Sequence, residues 1–220
     1  MPIAALLDVD GTLVDTNYHH AIAWFRSFRE GGLIVPVWRC HRHIGIGGDQ
    51  FVAAVAGDDV EERLGDRLRD GHARHYHAMR DDVELMPDAQ RLVECLHERG
   101  AEIVLASSAS EEDLEHFRTM LDRDELVSAA TSSDDVEQSK PEPDIILAAM
   151  EKVSDASQAV LVGDSTWDCR AAGRAGIESV ALLTGGFAES ELREAGASAV
   201  FESIADLLDA LEETPLGGGY

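Results

Sequence analysis

The stretch Ile3-Ala4-Ala5-Leu6-Leu7-Asp8-Val9-Asp10-Gly11-Thr12-Leu13-Val14-Asp15 decides how the rest of the chain is read. Its first five residues form a continuous apolar run, the pattern of a central strand buried on both faces of a parallel sheet, and the run stops at a carboxylate. Asp8 and Asp10, two residues apart in extended chain, point to the same side and address one bound group together. Gly11 lets the backbone turn and brings its amide toward an anion. Further apolar runs at 103–106, 127–130, 159–162, 179–183 and, more weakly, 199–201 read as companion strands. Between them, 88–98, 111–121, 143–152, 168–175, 189–194 and 204–211 carry helical spacing. Strand and helix alternate, so the body is α/β: a parallel sheet flanked by helices, with right-handed crossovers.

One stretch breaks the alternation. Residues 16–83 contain no convincing strand, while His20, Ala23, Trp24 and Phe28 share one helical face and Val60, Leu64 and Leu68 another. The expected organisation is therefore an α/β core from 1–15 and 84–212, a helical insertion over 16–83, and a disordered tail over 213–220 with three consecutive glycines. Inside the insertion, Ile44-Gly45-Ile46-Gly47-Gly48-Asp49 reads as a flexible loop between helices that bends onto a ligand.

Composition narrows the partners. The 43 Asp and Glu against 18 Lys and Arg give a formal charge of −25, spread along the chain as a solvated surface that repels nucleic acid and anionic membrane. Such acidity also fits a high-salt cytoplasm. Only two of the 18 basic residues are lysines, Lys140 and Lys152, which singles out Lys140 in a chain that otherwise uses arginine. The three cysteines, Cys40, Cys95 and Cys169, are widely spaced without a C-x-x-C pair, as expected of a reduced, cytoplasmic protein. The start of the chain reads as neither signal peptide nor membrane span.

In open α/β sheets the ligand crevice lies beyond the carboxyl ends of the strands. The polar clusters fall there. Ala106-Ser107-Ser108 offers hydroxyls, with Ser107 the first residue after its apolar run; Ser139-Lys140-Pro141 sets an ammonium before a helix; and Gly163-Asp164-Ser165-Thr166-Trp167-Asp168 adds two carboxylates. Asp8 and Asp164, with a backbone carbonyl and waters, suit Mg²⁺. Ser107, Lys140 and backbone amides suit phosphate oxygens.

The sequence D-x-D-G-T-L-x-D, a strand-end Ser, a Lys before Pro and G-D-S-x-x-D, in that order, resembles the haloacid dehalogenase superfamily of phosphatases and mutases, in its phosphoglycolate phosphatase and β-phosphoglucomutase-like branch. The resemblance covers essentially the whole chain and implies a Rossmann-like sheet with a small α-helical cap inserted after the first motif. It implies Asp8 as nucleophile, Asp10 as the acid that protonates the leaving oxygen and then activates water, and Mg²⁺ held by Asp8, Asp10 and Asp164. Gly11, Ser107, Ser108 and Lys140 would bind the phosphoryl group, and Asp168 would hold Lys140 or a metal-bound water. His20, with Trp24, matches positions where such a histidine sits near the acid/base aspartate. Arg42, Gly45 and Gly47 are candidate substrate contacts from the cap. The remaining histidines, His41, His43, His72, His75 and His77, read as surface residues, since their offsets do not share one helical face.

Asp10 argues against dehalogenation, which has no leaving oxygen to protonate. Phosphonate cleavage needs an amine for a Schiff base, and the insertion contains no lysine. The expectation is hydrolysis of a small phosphorylated metabolite by a monomer or homodimer. Its alternatives are a sugar phosphomutase and, from another class, a phospho-accepting signalling or non-catalytic binding module. Asp8 and Asp10 on the first strand and the helical insertion speak against a signalling receiver, which carries its phospho-acceptor on a later strand.

Overall fold

The opening apolar run forms strand β1 (Ile3–Leu7) at the centre of a six-stranded sheet, in a computed structural model that describes residues 3–154 and 158–217. Four helices follow: α1 (Asn17–Glu30), α2 (Val37–His41), α3 (Gly48–Ala56) and α4 (Asp58–His77). The alternation then begins with α5 (Ala89–Glu98), β2 (Glu102–Ala106), α6 (Glu111–Leu121), β3 (Ala129–Thr131) and α7 (Asp144–Glu151). It continues through β4 (Gln158–Gly163), α8 (Thr166–Ala175), β5 (Glu178–Leu182), α9 (Glu189–Ala195), β6 (Ala199–Phe201) and α10 (Ile204–Asp209). The strand order is β3-β2-β1-β4-β5-β6, every neighbouring pair parallel, which is the expected Rossmann-like α/β sheet.

Strand geometry explains why β1 is apolar throughout. Successive side chains leave opposite faces. Ala5 and Leu7 enter a core shared with α5, α6 and α10, while Ala4 and Leu6 enter a second core built with α7 and α8. The chain moves to one side of β1 through β2 and β3 and to the other through β4, so β1 marks the point where strand order reverses. A crevice opens at such a point beyond the strand ends. The register places Leu7 beside both Leu105 and Val162, which brings the residues after β1, β2 and β4 out at one edge. The β3 strand begins two residues later than its apolar run, because the Val127 amide closes a turn onto the Asp124 carbonyl at 3.2 Å.

Residues 17–82 carry helices and no strand among those described. They enclose an apolar cluster of their own, with Trp24, Phe28, Phe51, Val52 and Leu68 at its centre and Val60 and Leu64 packed against it. Two antiparallel segments join this cluster to the sheet: the Asp15 amide donates to the Glu84 carbonyl and the Met86 amide to the Leu13 carbonyl, both at 2.9 Å. The expectation of a disordered tail from residue 213 is corrected as far as Gly217. Leu211–Glu213 and Pro215–Gly217 form short 3₁₀ turns, and Leu216 is buried in the main core, an apolar anchor that composition alone hid among glycines. Residues 218–220 lie outside the described residues. Among the described helices none is long and apolar enough to cross a membrane.

Candidate active site

Asp8 leaves the end of β1 nearly enclosed, at 5% exposure, and its position is fixed by its amide bonding to the Val162 carbonyl at 2.9 Å. Lys140, 1% exposed, brings its Nζ within 2.5 Å of Asp8 Oδ1 and 2.7 Å of Asp168 Oδ1. Asp168 also caps its own helix: its Oδ2 accepts from the Ser165 amide and hydroxyl while its Oδ1 faces Lys140. Asp164 Oδ2 accepts from Asn17 Nδ2 at 2.7 Å, and Thr12 Oγ1 lies 3.4 Å from both Asp8 and Asp164. Carboxylate oxygens of Asp8, Asp164 and Asp168 lie within 4.8 Å of one another.

Asp10 is built differently. Its Oδ1 accepts from Thr16 Oγ1 at 2.7 Å and faces His20 Nε2 at 3.1 Å, away from the three-carboxylate group. His20 in turn places Nδ1 3.0 Å from His72 Nε2 and stacks on Tyr76 at 4.0 Å, while His72 stacks on Trp24 at 4.3 Å. The surface reading of His72 is therefore corrected. It lies inside the crevice, because α4 packs along α1 and turns the His72–Tyr76 face toward His20. Thr16, Asn17 and His72 are the residues that sequence reasoning missed. The polar pair Thr16-Asn17 at the start of an amphipathic helix was the available signal.

These surroundings split the two first-strand acids. Burial, offset in part by Lys140 and reinforced by the charges of Asp168 and Asp10, pushes Asp8 up to about 7. Burial and the charges of Asp168 and Asp8 hold Asp164 well above the ordinary carboxylate range. For Asp10 burial acts upward too, but the hydrogen bond and charge of His20 and the Thr16 hydroxyl outweigh it and bring the pKa below its ordinary value. Burial would depress Lys140, yet Asp168 and Asp8 raise it, so it stays an ammonium. Burial, helped by His20, holds His72 well below the ordinary imidazole value, as a neutral ring. Asp8 and Asp168 share Lys140, Asp164 lies within 4.8 Å of both with no cation of its own among the described residues, and the hard oxygen donors of the three fit a Mg²⁺ ion.

A cavity of about 630 Å³ opens beside Asp8 and Lys140. Its wall includes Asp8, Asp10, His20, Ser108 and Lys140, and also Gly45 and Gly47 from the loop between α2 and α3. Ser108 lies on the wall with a buried hydroxyl that has no partner among the described residues. Ser107 lies beneath, fully enclosed, its Oγ accepting from the Ala109 amide at 3.0 Å.

Two expectations need correction. Gly11 is required at its position, with φ +78° and a would-be Cβ 2.2 Å from both Asn17 Nδ2 and Asp164 Oδ2, but its amide donates to the Val14 carbonyl at 2.8 Å. Its value is a turn and a close approach, not an anion-binding N–H. Arg42 lies outside the cavity wall, where Glu191 takes both of its Nη atoms and the guanidinium stacks over Phe187. An acidic chain supplied a partner that adjacency in sequence did not reveal.

The glycine loop is packed, not free. A Cβ on Gly45 would lie 2.6 Å from Ser165 Oγ, and one on Gly47 would lie 2.1 Å from Ser139 Cβ and Oγ, next to Lys140. Gly47→Ala must therefore separate the loop from Ser139 or move Ser139 itself. The expected result in steady-state kinetics is a kcat/KM lower by about 10- to 100-fold. The circular-dichroism melt should shift little, since the clash lies between two surfaces and not within a core.

A family model for haloacid dehalogenase-like hydrolases matches residues 4–176. The chain is 28% identical to a phosphoglycolate phosphatase from Aliivibrio fischeri over 81% of its own length and 82% of that protein's. It is 25% identical to the pyrophosphatase PpaX from Halalkalibacterium halodurans over 93% and 94%. A solved structure described as a hydrolase from Pseudomonas syringae superposes with a TM-score of 0.89 at 31% identity, covering 96% of this chain and 98% of that one. With its sheet, its strand-end acids and its buried lysine in the order that the match spans, the chain belongs to the haloacid dehalogenase-like hydrolase family.

Proposed function

We propose that this enzyme is a Mg²⁺-dependent phosphatase that hydrolyses a small organic phosphate monoester through an aspartyl-phosphate on Asp8. One observation carries the reading: Asp8 and Asp10 face the same cavity, but one is clamped by Lys140 and the other is oriented by Thr16 and His20. A carboxylate attacks phosphorus best when its position is fixed and the phosphoryl charge is met by a cation. Asp8 would attack in line, and Asp10, held as a carboxylate by His20 and Thr16, would relay to the leaving ester oxygen the proton that the phosphate monoanion brings. Asp10, again a carboxylate, would take a proton from the water that opens the acyl-phosphate. His20 and Thr16 would hold Asp10 aimed at the leaving oxygen. Lys140 and the unpartnered Ser108 hydroxyl would hold the phosphoryl oxygens, with Ser107 enclosed beneath them, and Asp168 would keep Lys140 in place.

Asp8, Asp164 and the backbone carbonyl of Asp10 would hold Mg²⁺, with the Asp10 side chain turned to His20. Bound there, the ion supplies charge neutralisation between the acids and the phosphoryl group. The helical segment 16–83 would act as a cap over the crevice. The phosphoglycolate phosphatase and pyrophosphatase names of relatives support phosphate-ester chemistry, and the absence of lysine from the insertion favours water over a second sugar hydroxyl as acceptor. Release of p-nitrophenol from p-nitrophenyl phosphate tests the reading. Turnover should require Mg²⁺, vanish on chelation and return on adding the ion; no release under any of these conditions overturns it.

The buried acids make a linked prediction for stability. Asp8 keeps its proton to about 7 when folded but releases it near 3.8 when unfolded, so the folded state binds more protons between those values. Stability of the chelator-treated protein should therefore fall as pH rises from about 4 to 7, by a few kcal/mol. The Asp10 contribution has the opposite sign but lies below this window, since its folded pKa is depressed. Mg²⁺ binds the carboxylate form, so its stabilisation should grow over the same interval. Calorimetric melts at pH 5 and 8, with and without Mg²⁺, check this. An ion effect independent of pH would contradict it.

A further inference from the structure

Beyond Asp8, Asp10 and Lys140, the wall of the cavity has a distinctive charge pattern. Four charged side chains line it there: Asp49, Arg69, Asp113 and Glu137. Arg69, the one guanidinium among them, is already taken. Glu61 accepts from both of its Nη atoms at 3.1 and 2.8 Å, and Asp66 accepts from Nη2 at 2.9 Å. Asp113 is taken as well, facing Arg80, which it shares with Glu112, and His77 Nε2 at 3.3 Å, and accepting from the Ser110 hydroxyl. Asp49 accepts only from the Ser139 amide, and Glu137 has no cation beside it among the described residues. The rest of the wall includes the rings of His20, His72 and His77, with Trp24 and Tyr76 buried against His72 and His20.

A second anion on the substrate finds no unclaimed cation on this wall and meets two unpaired acids. A chain of formal charge −25 repels it further. Hydroxyls and ammonium groups, by contrast, find carboxylates to accept their hydrogen bonds. The volume, about 630 Å³, suits a ring-sized alcohol. We infer that the substrate's alcohol carries no second anionic group: it is a polyhydroxylated alcohol of about sugar size, neutral or amine-bearing. This rests on the phosphatase reading above. It sets the chain apart from its relatives named for phosphoglycolate and pyrophosphate, since both of those compounds carry a further anion beside the scissile group.

Three phosphate esters of one size and three charges test it: glucosamine 6-phosphate, glucose 6-phosphate and 6-phosphogluconate, with p-nitrophenyl phosphate as control. The expected order of kcat/KM is amine, then neutral, then carboxylate, with the carboxylate at least about tenfold below the neutral ester and the gap narrowing at high salt. For a compound that is not turned over, its Ki against p-nitrophenyl phosphate is read instead. Glu137→Lys should raise 6-phosphogluconate relative to glucose 6-phosphate by about tenfold. Loss of p-nitrophenyl phosphate turnover with every compound inert would sink the phosphatase reading itself. Turnover of the control with 6-phosphogluconate or phosphoglycolate equal to or better than the neutral ester, no discrimination among the three, or a ratio unmoved by Glu137→Lys would overturn the charge rule alone.

Discussion

Asp8→Asn is expected to lower turnover by about 10⁴-fold or more while leaving the protein folded and at least as resistant to heat as the wild type. The two halves of this expectation have one origin. Asp8 is enclosed beside Asp164 and Asp168, and its pKa of about 7 shows that burial and like charge disfavour its ionised form. The amide is nearly isosteric, removes one negative charge, and leaves Lys140 its partner Asp168 at 2.7 Å. Stability therefore has no reason to fall. Chemistry does, because an amide oxygen is a poor nucleophile for phosphorus and no other carboxylate among the described residues occupies the same position against Lys140 and the cavity. Steady-state release of p-nitrophenol and a thermal melt, made on the same preparation, separate the two effects. Turnover within about tenfold of wild type in a well-folded Asp8→Asn protein would remove Asp8 from the reaction.

The order of strands and helices was legible because a parallel sheet buries its central strands on both faces and so writes them as unbroken apolar runs. Asp8, Lys140, Asp164 and Asp168 were legible for a related reason: each follows an apolar run or precedes a helix, at the edge where such sheets bind ligands. What sequence did not show depends on faces brought together from distant segments. His72 reads as one more surface histidine until α4 lies along α1 and sets it 3.0 Å from His20. Arg42 looks free until Glu191, far along the chain, is seen to take it. Gly11 has an amide suited to an anion in the abstract, but a turn four residues wide spends it on Val14. Leu216 sits among glycines, and only the assembled core that it joins shows why it is buried.

Removing the lysine charge should have the largest effect on stability. Lys140→Met keeps much of the apolar stem but leaves Asp8 and Asp168 facing each other in an enclosed site, where breaking a buried ion pair costs about 3–5 kcal/mol. For a chain of this size that corresponds to a melting temperature lower by on the order of 10 °C. Lys140 itself does not titrate in the useful range: its pKa is raised above the usual ammonium value, so its stabilisation is fully present at neutral pH and is lost only in strong alkali. The pH dependence of the variant must then come from the acids it abandons. With the lysine no longer offsetting burial, Asp8 holds its proton to higher pH, and the deficit relative to wild type should be greatest near pH 8 and shrink toward pH 5. Turnover should fall by about 10³-fold, since one cation facing the phosphoryl group is gone. Lys140→Arg should not restore it: a planar fork cannot reproduce a point ammonium seated between two carboxylates at 2.5 and 2.7 Å. Melts across pH and kinetics of both variants decide the matter. A Lys140→Met protein as stable as wild type at pH 8, or an arginine variant with full activity, would mean that the ammonium neither bridges these acids nor meets the phosphoryl group.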